Sequence, residues 1–237
     1  SMAAFDQYLV VDFEASGVVR SSWEWEIVEF PIVVVDAASC SILDQKFHSY
    51  VRPTRHPELS QACKDNCGIV QEQVDSAPPI EEVVAAADAF VAQLPPGRRA
   101  VVTCGDYDLG TAVPAEAHHK GLAVPEWLTE WVNVKVAYGE GPGRGQNRHT
   151  MKSMLGGLGL PLEGRHHCGA DDAANIAKIV ISLLRQGCSL PITCAVDKEG
   201  QWHGREGTAW PQGYPAPQAL EEEQAPKETK RRWGPKK

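Results

Sequence analysis

Apolar and polar positions along the chain fall into short blocks with two different periods. Residues 8–13, Tyr-Leu-Val-Val-Asp-Phe, form a brief β-rich run that predicts a buried strand. Ile27 to Asp36, with Val33-Val34-Val35 at its core, predicts a second, and Lys46 to Val51 a third. The short connections between them predict an antiparallel meander. Helical character follows over Ser60 to Cys67 and over the Ala-rich stretch Ile80 to Leu94, which Pro95-Pro96-Gly97 stops. Ala100 to Cys104 predicts another buried strand. A helix from Leu109 to Lys120, a Pro125-Glu126-Trp127 segment and an apolar stretch from Trp131 to Val136 come next. Gly139 to Gly145 is glycine-rich and predicts a mobile loop, ahead of amphipathic helices over Thr150–Leu158 and Ala170–Leu184. From Pro211 onward Pro, Gln, Glu and Lys take over, and a disordered tail is expected. Strands first, then strands and helices alternating, predict an α/β domain with a mixed sheet.

Composition narrows the class. With 43% hydrophobic and 23% charged residues in 237, wholesale disorder is excluded. No apolar run approaches the roughly 18–20 residues of a membrane span, so a soluble protein with no membrane partner is expected. Ser1-Met2-Ala3-Ala4 has neither the basic nor the apolar region of a signal peptide, and Ser1 reads as a cloning scar. The formal net charge is -8, but Lys227 to Lys237 holds six Lys/Arg against one Glu, a local +5 that leaves -13 on the rest. An acidic body of this kind binds a polyanion only where metal ions or a local patch neutralise the contact. The basic tail reads as a nuclear-localisation patch, a nonspecific RNA tether or simply a solvated end. Seven cysteines, at 40, 63, 67, 104, 168, 188 and 194, read as reduced thiols of a reducing, intracellular compartment, cytoplasmic or nuclear. Cys63-x3-Cys67 and Cys188-x5-Cys194 lack the tight spacing of a zinc knuckle.

Candidate chemistry begins at Asp12-Phe13-Glu14, at the end of the first predicted strand. Side chains alternate along a strand, so both carboxylates point to one side and form a seat for a hard, oxygen-seeking divalent cation. A third carboxylate follows the Ala100–Cys104 strand, where ligand sites of open α/β sheets gather; on composition Asp106 or Asp108 would serve, and either could instead cap the next helix. His166-His167-Cys168-Gly169-Ala170-Asp171-Asp172 places His167 five residues before Asp172 at a helix start. A histidine beside metal carboxylates is suited to take a proton from an attacking water.

Asp12, Glu14, Asp108, His167 and Asp172 together reproduce the D-x-E … D … H-x4-D pattern of the DEDDh 3′→5′ exonucleases, of the RNase H-like superfamily. The surrounding words resemble the ERI exoribonucleases, the subfamily of the histone-mRNA 3′ exonuclease and the enhanced-RNAi nuclease. These words are Val10-Val-Asp-Phe-Glu-Ala15, Glu26-Ile-Val-Glu-Phe-Pro31, Tyr50-Val-Arg-Pro53, Cys67-Gly-Ile-Val-Gln-Glu-Gln-Val-Asp75 and Gly164-Arg-His-His-Cys-Gly-Ala-Asp-Asp172. The resemblance covers residues 6–187, implying one exonuclease domain with an RNase H-like mixed sheet flanked by helices and a C-terminal extension over 188–237. Thr103-Cys-Gly-Asp-Tyr-Asp-Leu109 is similar to the family's T-x-G-x-W-D-x segment, which selects Asp108 over Asp106. Ser16-Gly17, Cys67 and Tyr107 depart from the usual Thr-Cys, Thr and Trp, and none of these removes a ligand. The residues present include no SAP-like RNA-binding segment, so stem-loop recognition by that route is not expected.

The resemblance implies a two-ion site for Mg²⁺ or Mn²⁺. Asp12 would bridge both ions, Glu14 and Asp172 would complete the first, and Asp108 would act through water. His167 would be the general base, and Glu14 belongs with it to the catalytic group. The implied activity is stepwise hydrolysis of RNA 3′ ends to nucleoside 5′-monophosphates. Single-stranded RNA or the 3′ overhang of a structured RNA is the expected partner. DNA as the main substrate, or RNA binding on a non-catalytic nuclease fold, are the alternatives. Tyr107 is the first candidate to stack a base, with Phe13 and Trp23 behind it, and Arg144, Arg148 and Lys152 are candidates to grip phosphates.

Overall fold

The computed structural model of the chain describes residues 3–17, 25–141, 149–196 and 202–204. Trp23, Arg144, Arg148, residues 142–145 of the expected loop and the tail from Pro211 lie outside the described residues.

β1 (Gln7–Val10) is central and buried along its whole length. Regular pairing breaks at residues 11–13 and resumes in β2 (Glu14–Ala15), so the strand expected over 8–13 ends at Val10. β3 (Ile27–Asp36) runs antiparallel to both, placing Val10 opposite Val33 and Glu14 opposite Glu29. β4 (Ser41–Tyr50) pairs with the other edge of β3 and completes the meander. It begins at Ser41 rather than Lys46; Leu43, Phe47 and Tyr50 pack against the core from it while Asp44, Gln45 and Lys46 between them are exposed, so its alternation is faint in the sequence.

Three helices follow: α1 (Gln61–Cys67), α2 (Gln71–Asp75) and α3 (Ile80–Gln93). Ser60 caps α1 by accepting a hydrogen bond from the Cys63 N–H at 3.1 Å, and Gly68 ends it at φ 76°. α2 is a five-residue turn that the periodicity does not reveal. β5 (Arg99–Thr103) lies parallel to β1. A π-helical turn over Asp108–Ala112 then leads into α4 (Val113–Lys120). β6 (Glu130–Asn133) is parallel to β5, and Asn133 at once caps α5 (Val134–Gly139), its side chain accepting from the Lys135 N–H at 3.0 Å. The apolar stretch 131–136 is therefore part strand and part helix. α6 (Met151–Gly157), α7 (Gly169–Arg185) and the antiparallel strands β7 (Cys194–Val196) and β8 (Trp202–Gly204) follow. The last two strands, three residues each, are too short to show a period.

Among the described residues the sheet is eight-stranded and mixed, with β4 and β3 on one side of β1 and β5, β6, β7 and β8 on the other. Both faces are covered. Tyr8 and Val10 enter the core beneath α6 and α7 with Met154, Ile176 and Val180. Leu9 and Val11 enter the opposite core with Phe30, Ile80, Leu109 and Trp131. The same alternation turns Asp12 toward α7 and Phe13 away from it. Among the described residues no helix is long and apolar enough to cross a membrane.

Candidate active site

β1 and β5 are parallel neighbours that end at one rim of the sheet, where the crevices of such sheets hold ligands. Asp12 follows β1 in the break before β2, which carries Glu14. Asp108 opens the π-helical turn after β5, and its Oδ1 accepts the Phe13 N–H at 2.9 Å, fastening that carboxylate to the β1–β2 break. Asp172 arrives from the first turn of α7. Carboxylate oxygens of Asp12, Glu14 and Asp172 lie within 4.8 Å of one another, and Asp108 and His167 line the same cavity of about 310 Å³ as Asp12 and Glu14. Asp106 belongs elsewhere: its Oδ1 accepts from Trp131 Nε1 at 2.9 Å, Asn133 Nδ2 at 3.0 Å and Cys194 Sγ at 3.2 Å, bracing β6 and β7.

A residue that sequence reasoning did not single out, Glu29, fixes the position of α7. Only 1% exposed, it accepts from the Gly169 N–H at 2.9 Å and the Ala170 N–H at 3.3 Å, a carboxylate on the free N–H groups and positive dipole end of the helix. His48 Nε2 meets its other side at 2.8 Å. The signal for it was present as a glutamate inside the otherwise apolar Ile27–Pro31. Gly169 permits the close approach, because a Cβ there would stand 2.6 Å from the Asp12 carbonyl oxygen. In the preceding loop Gly164 adopts φ +71°, where a Cβ would strike the Asp171 carboxylate, which accepts the Arg165 N–H at 2.7 Å. Asp172 Oδ2 then accepts the His167 N–H at 2.9 Å and contacts His166 Nδ1 at 2.9 Å. The two imidazoles stack at 3.9 Å between centroids.

Burial pushes the Asp12 carboxyl well above its usual range, helped by the charges of Asp108, Glu14, Asp172 and Glu29. Glu14 rises to about 9, chiefly by burial and then through Cys67 and the neighbouring carboxylates. Asp108 rises to about 6 for the same first reason, checked by the Phe13 N–H and the Lys135 ammonium. His167 is lowered by burial and by His166. Asp172 Oδ1 is buried and has no hydrogen-bond partner among the described residues. Crowded carboxylates, with an unpartnered oxygen among them, fit an all-oxygen seat for divalent cations.

Two aromatic rings flank the cavity. Tyr107 stands 6.1 Å from Trp25, which lies against Gly17. Phe13 touches the cavity, but its ring packs on Phe30 at 4.3 Å and is 7% exposed. Lys152, exposed on α6, is near enough to disfavour protonation of His167. Lys135 was not anticipated; its ammonium acts on both Asp108 and Cys104.

A mixed sheet flanked by helices, with acidic side chains gathered where two parallel strands end, is the fold of the RNase H-like exonucleases. Residues 9–180 match the family model RNase_T, described as Exonuclease, and the chain belongs to that family. It is 36% identical over 187 residues to ERI1 exoribonuclease 3 of Mus musculus, an alignment covering 77% of this chain and 55% of the relative. With 3'-5' exoribonuclease 1 of Rattus norvegicus it shares 31% identity over 219 residues, covering 90% and 63% respectively. The chain thus spans little more than half the length of the mouse relative. Among solved structures it superposes with TM-score 0.80 and 28% identity on a 3'-exonuclease described in 3'-end specific recognition of a histone mRNA stem-loop, covering 90% of this chain and 75% of that one. The nuclease domain of 3'hExo, a DEDDh family member bound to rAMP, gives TM-score 0.77 and 29% identity, covering 83% of this chain and 100% of that domain.

Proposed function

We propose that this chain is a divalent-cation-dependent 3′→5′ exoribonuclease that trims single-stranded RNA, or the 3′ overhang of a structured RNA, to nucleoside 5′-monophosphates. The observation that carries the reading is the convergence of Asp12, Glu14 and Asp172 oxygens within 4.8 Å, with Asp108 and His167 on the same cavity. Asp12, Glu14, Asp172 and Asp108 would hold two Mg²⁺ or Mn²⁺ ions. Such ions, when bound, activate a water, neutralise charge on the scissile phosphate and ease departure of the 3′ oxygen.

The chain's own side chains do the rest. Glu29 and Gly169 seat α7 so that Asp172 faces the β1–β2 break. His167, whose pKa is lowered by partial desolvation and by His166, accepts the proton of the attacking water at its imidazole nitrogen. Trp25 and Tyr107 hold the terminal base, each stack contributing about 1–3 kcal/mol. The names of the relatives favour RNA over DNA.

A time course on 5′-end-labelled RNA and DNA, run with Mg²⁺, Mn²⁺ or chelator, tests this. RNA should shorten one nucleotide at a time from its 3′ end with either ion and not with chelator. Asp12→Ala should reduce the rate by at least about 10³-fold. Wild-type rates in that variant would refute the assignment, and equal or faster loss of DNA would move the substrate class.

A further inference from the structure

Cys63 and Cys67 sit one turn apart on α1, both buried and both free, with their sulfurs 3.6 Å from each other. They line the cavity that Glu14 and His167 also line. The Cys63 thiol donates to the Ala15 carbonyl at 3.4 Å, in the same short strand as Glu14, and the Cys67 thiol donates to the Cys63 carbonyl at 3.0 Å. At the C-terminal end of α1, the Asp65 and Asn66 carbonyls accept from Arg165 Nη2 at 2.9 and 3.4 Å. Arg165 lies two residues before His167, so α1 touches both the strand of one catalytic carboxylate and the loop of the histidine.

We propose that Cys63 and Cys67 are a redox-active dithiol of this pocket, oxidised by hydroperoxides to a reversible disulfide within α1 that stops hydrolysis. The loss of hydrolysis rests on the exoribonuclease reading above; the dithiol chemistry does not. The oxidant, hydrogen peroxide in the simplest case, enters through the cavity and takes up two electrons. One sulfur, as thiolate, attacks the O–O bond and becomes a sulfenic acid while hydroxide leaves and collects the thiol proton as water. The second sulfur displaces the sulfenic oxygen, forming the S–S bond and releasing a second water.

Residues four apart on a helix hold their Cβ atoms about 5–6 Å apart, whereas a disulfide needs about 3.5–4.5 Å. Closure therefore deforms the seven-residue α1, drawing Cys63 from the Ala15 carbonyl and shifting the carbonyls that hold Arg165. A strained bond of this kind is readily reduced, which suits a switch rather than a permanent staple.

The experiment treats the purified chain with hydrogen peroxide, blocks remaining thiols with N-ethylmaleimide and digests with trypsin. Because Lys64 lies between the two cysteines, the disulfide would appear as linked peptides 56–64 and 65–98. The linked pair is expected in the oxidised sample and should vanish with dithiothreitol. Hydrolysis of 5′-end-labelled RNA should fall about tenfold or more on oxidation and recover on reduction, since displacements near 1 Å carry losses of that order. Cys67→Ser and Cys63→Ser, each compared with its own untreated activity, should lose the peroxide response. Maleimide on both cysteines after oxidation, or either one linked elsewhere, would overturn the assignment. Linkage with unchanged hydrolysis would overturn the coupling to the pocket. Linkage in a preparation that degrades no RNA in either state supports the dithiol and counts against the exoribonuclease reading instead.

Discussion

Asp106 and Asp108 stand two residues apart with opposite duties, and chemistry separates them cleanly. The Asp106 carboxylate satisfies the Trp131 indole, the Asn133 amide and the Cys194 thiol, so its loss leaves donors stranded between β6 and β7. Asp106→Ala should cost about 1–3 kcal/mol of stability, read as a lower melting temperature or denaturant midpoint. Asp108→Asn should leave the melt near that of wild type and remove RNA hydrolysis. If the Asp106 variant melted like wild type and lost hydrolysis instead, the two roles would be exchanged. Composition alone left both residues open, because a side chain's direction out of a loop follows from the partners it finds, and those partners lie far off in the chain. Asp12, Glu14, His167 and Asp172 were legible as a spaced pattern. Glu29 and Trp25 were not, since a buried glutamate on a helix end and an indole against a glycine become visible only when β3 and α7, or residues 17 and 25, are brought together.

At the scale of elements, the site depends on how closely α7 approaches the β1–β2 break. Gly169→Ala places a methyl 2.6 Å from the Asp12 carbonyl and 3.1 Å from Glu29 Oε2, neither of which can move without disturbing a carboxylate of the site. Overpacking of this kind costs about 1–3 kcal/mol, and the turnover number should fall more than RNA affinity does. Steady-state kinetics and a melt on the same preparation check this; an unchanged turnover number would mean that α7 tolerates retreat. The buried strands and the long helix α7 were readable from periodicity, because each fills two faces or one face of a core. β2, α2, β7 and β8 were hidden, being two to five residues long and held by pairing or packing rather than by any period of their own.

For the molecule as a whole, the cluster ties stability to pH and to cations. Glu14 is raised from 4.5 to about 9 and Asp108 from 3.8 to about 6, so the folded chain keeps protons that the unfolded chain has already released. Stability in the presence of chelator should therefore decline as pH rises from about 4 through these raised values. Divalent cations bind the ionised carboxylates of the folded chain alone and should offset the decline. Melting curves at pH 5 and pH 8, with chelator or with Mg²⁺, should show a lower midpoint at pH 8 in chelator and the larger Mg²⁺ gain at pH 8. A cation gain confined to pH 5 would contradict the linkage.

Anomalous diffraction from crystals grown or soaked with Mn²⁺ asks most directly whether the gathered carboxylates seat the ions. Manganese peaks should fall among Asp12, Glu14 and Asp172, with Asp108 on their outer side. Peaks only at His166, His167 and Asp172, the other group among the described residues whose ligand atoms lie within 4.8 Å of one another, or none beside Asp12, would contradict the proposed centre.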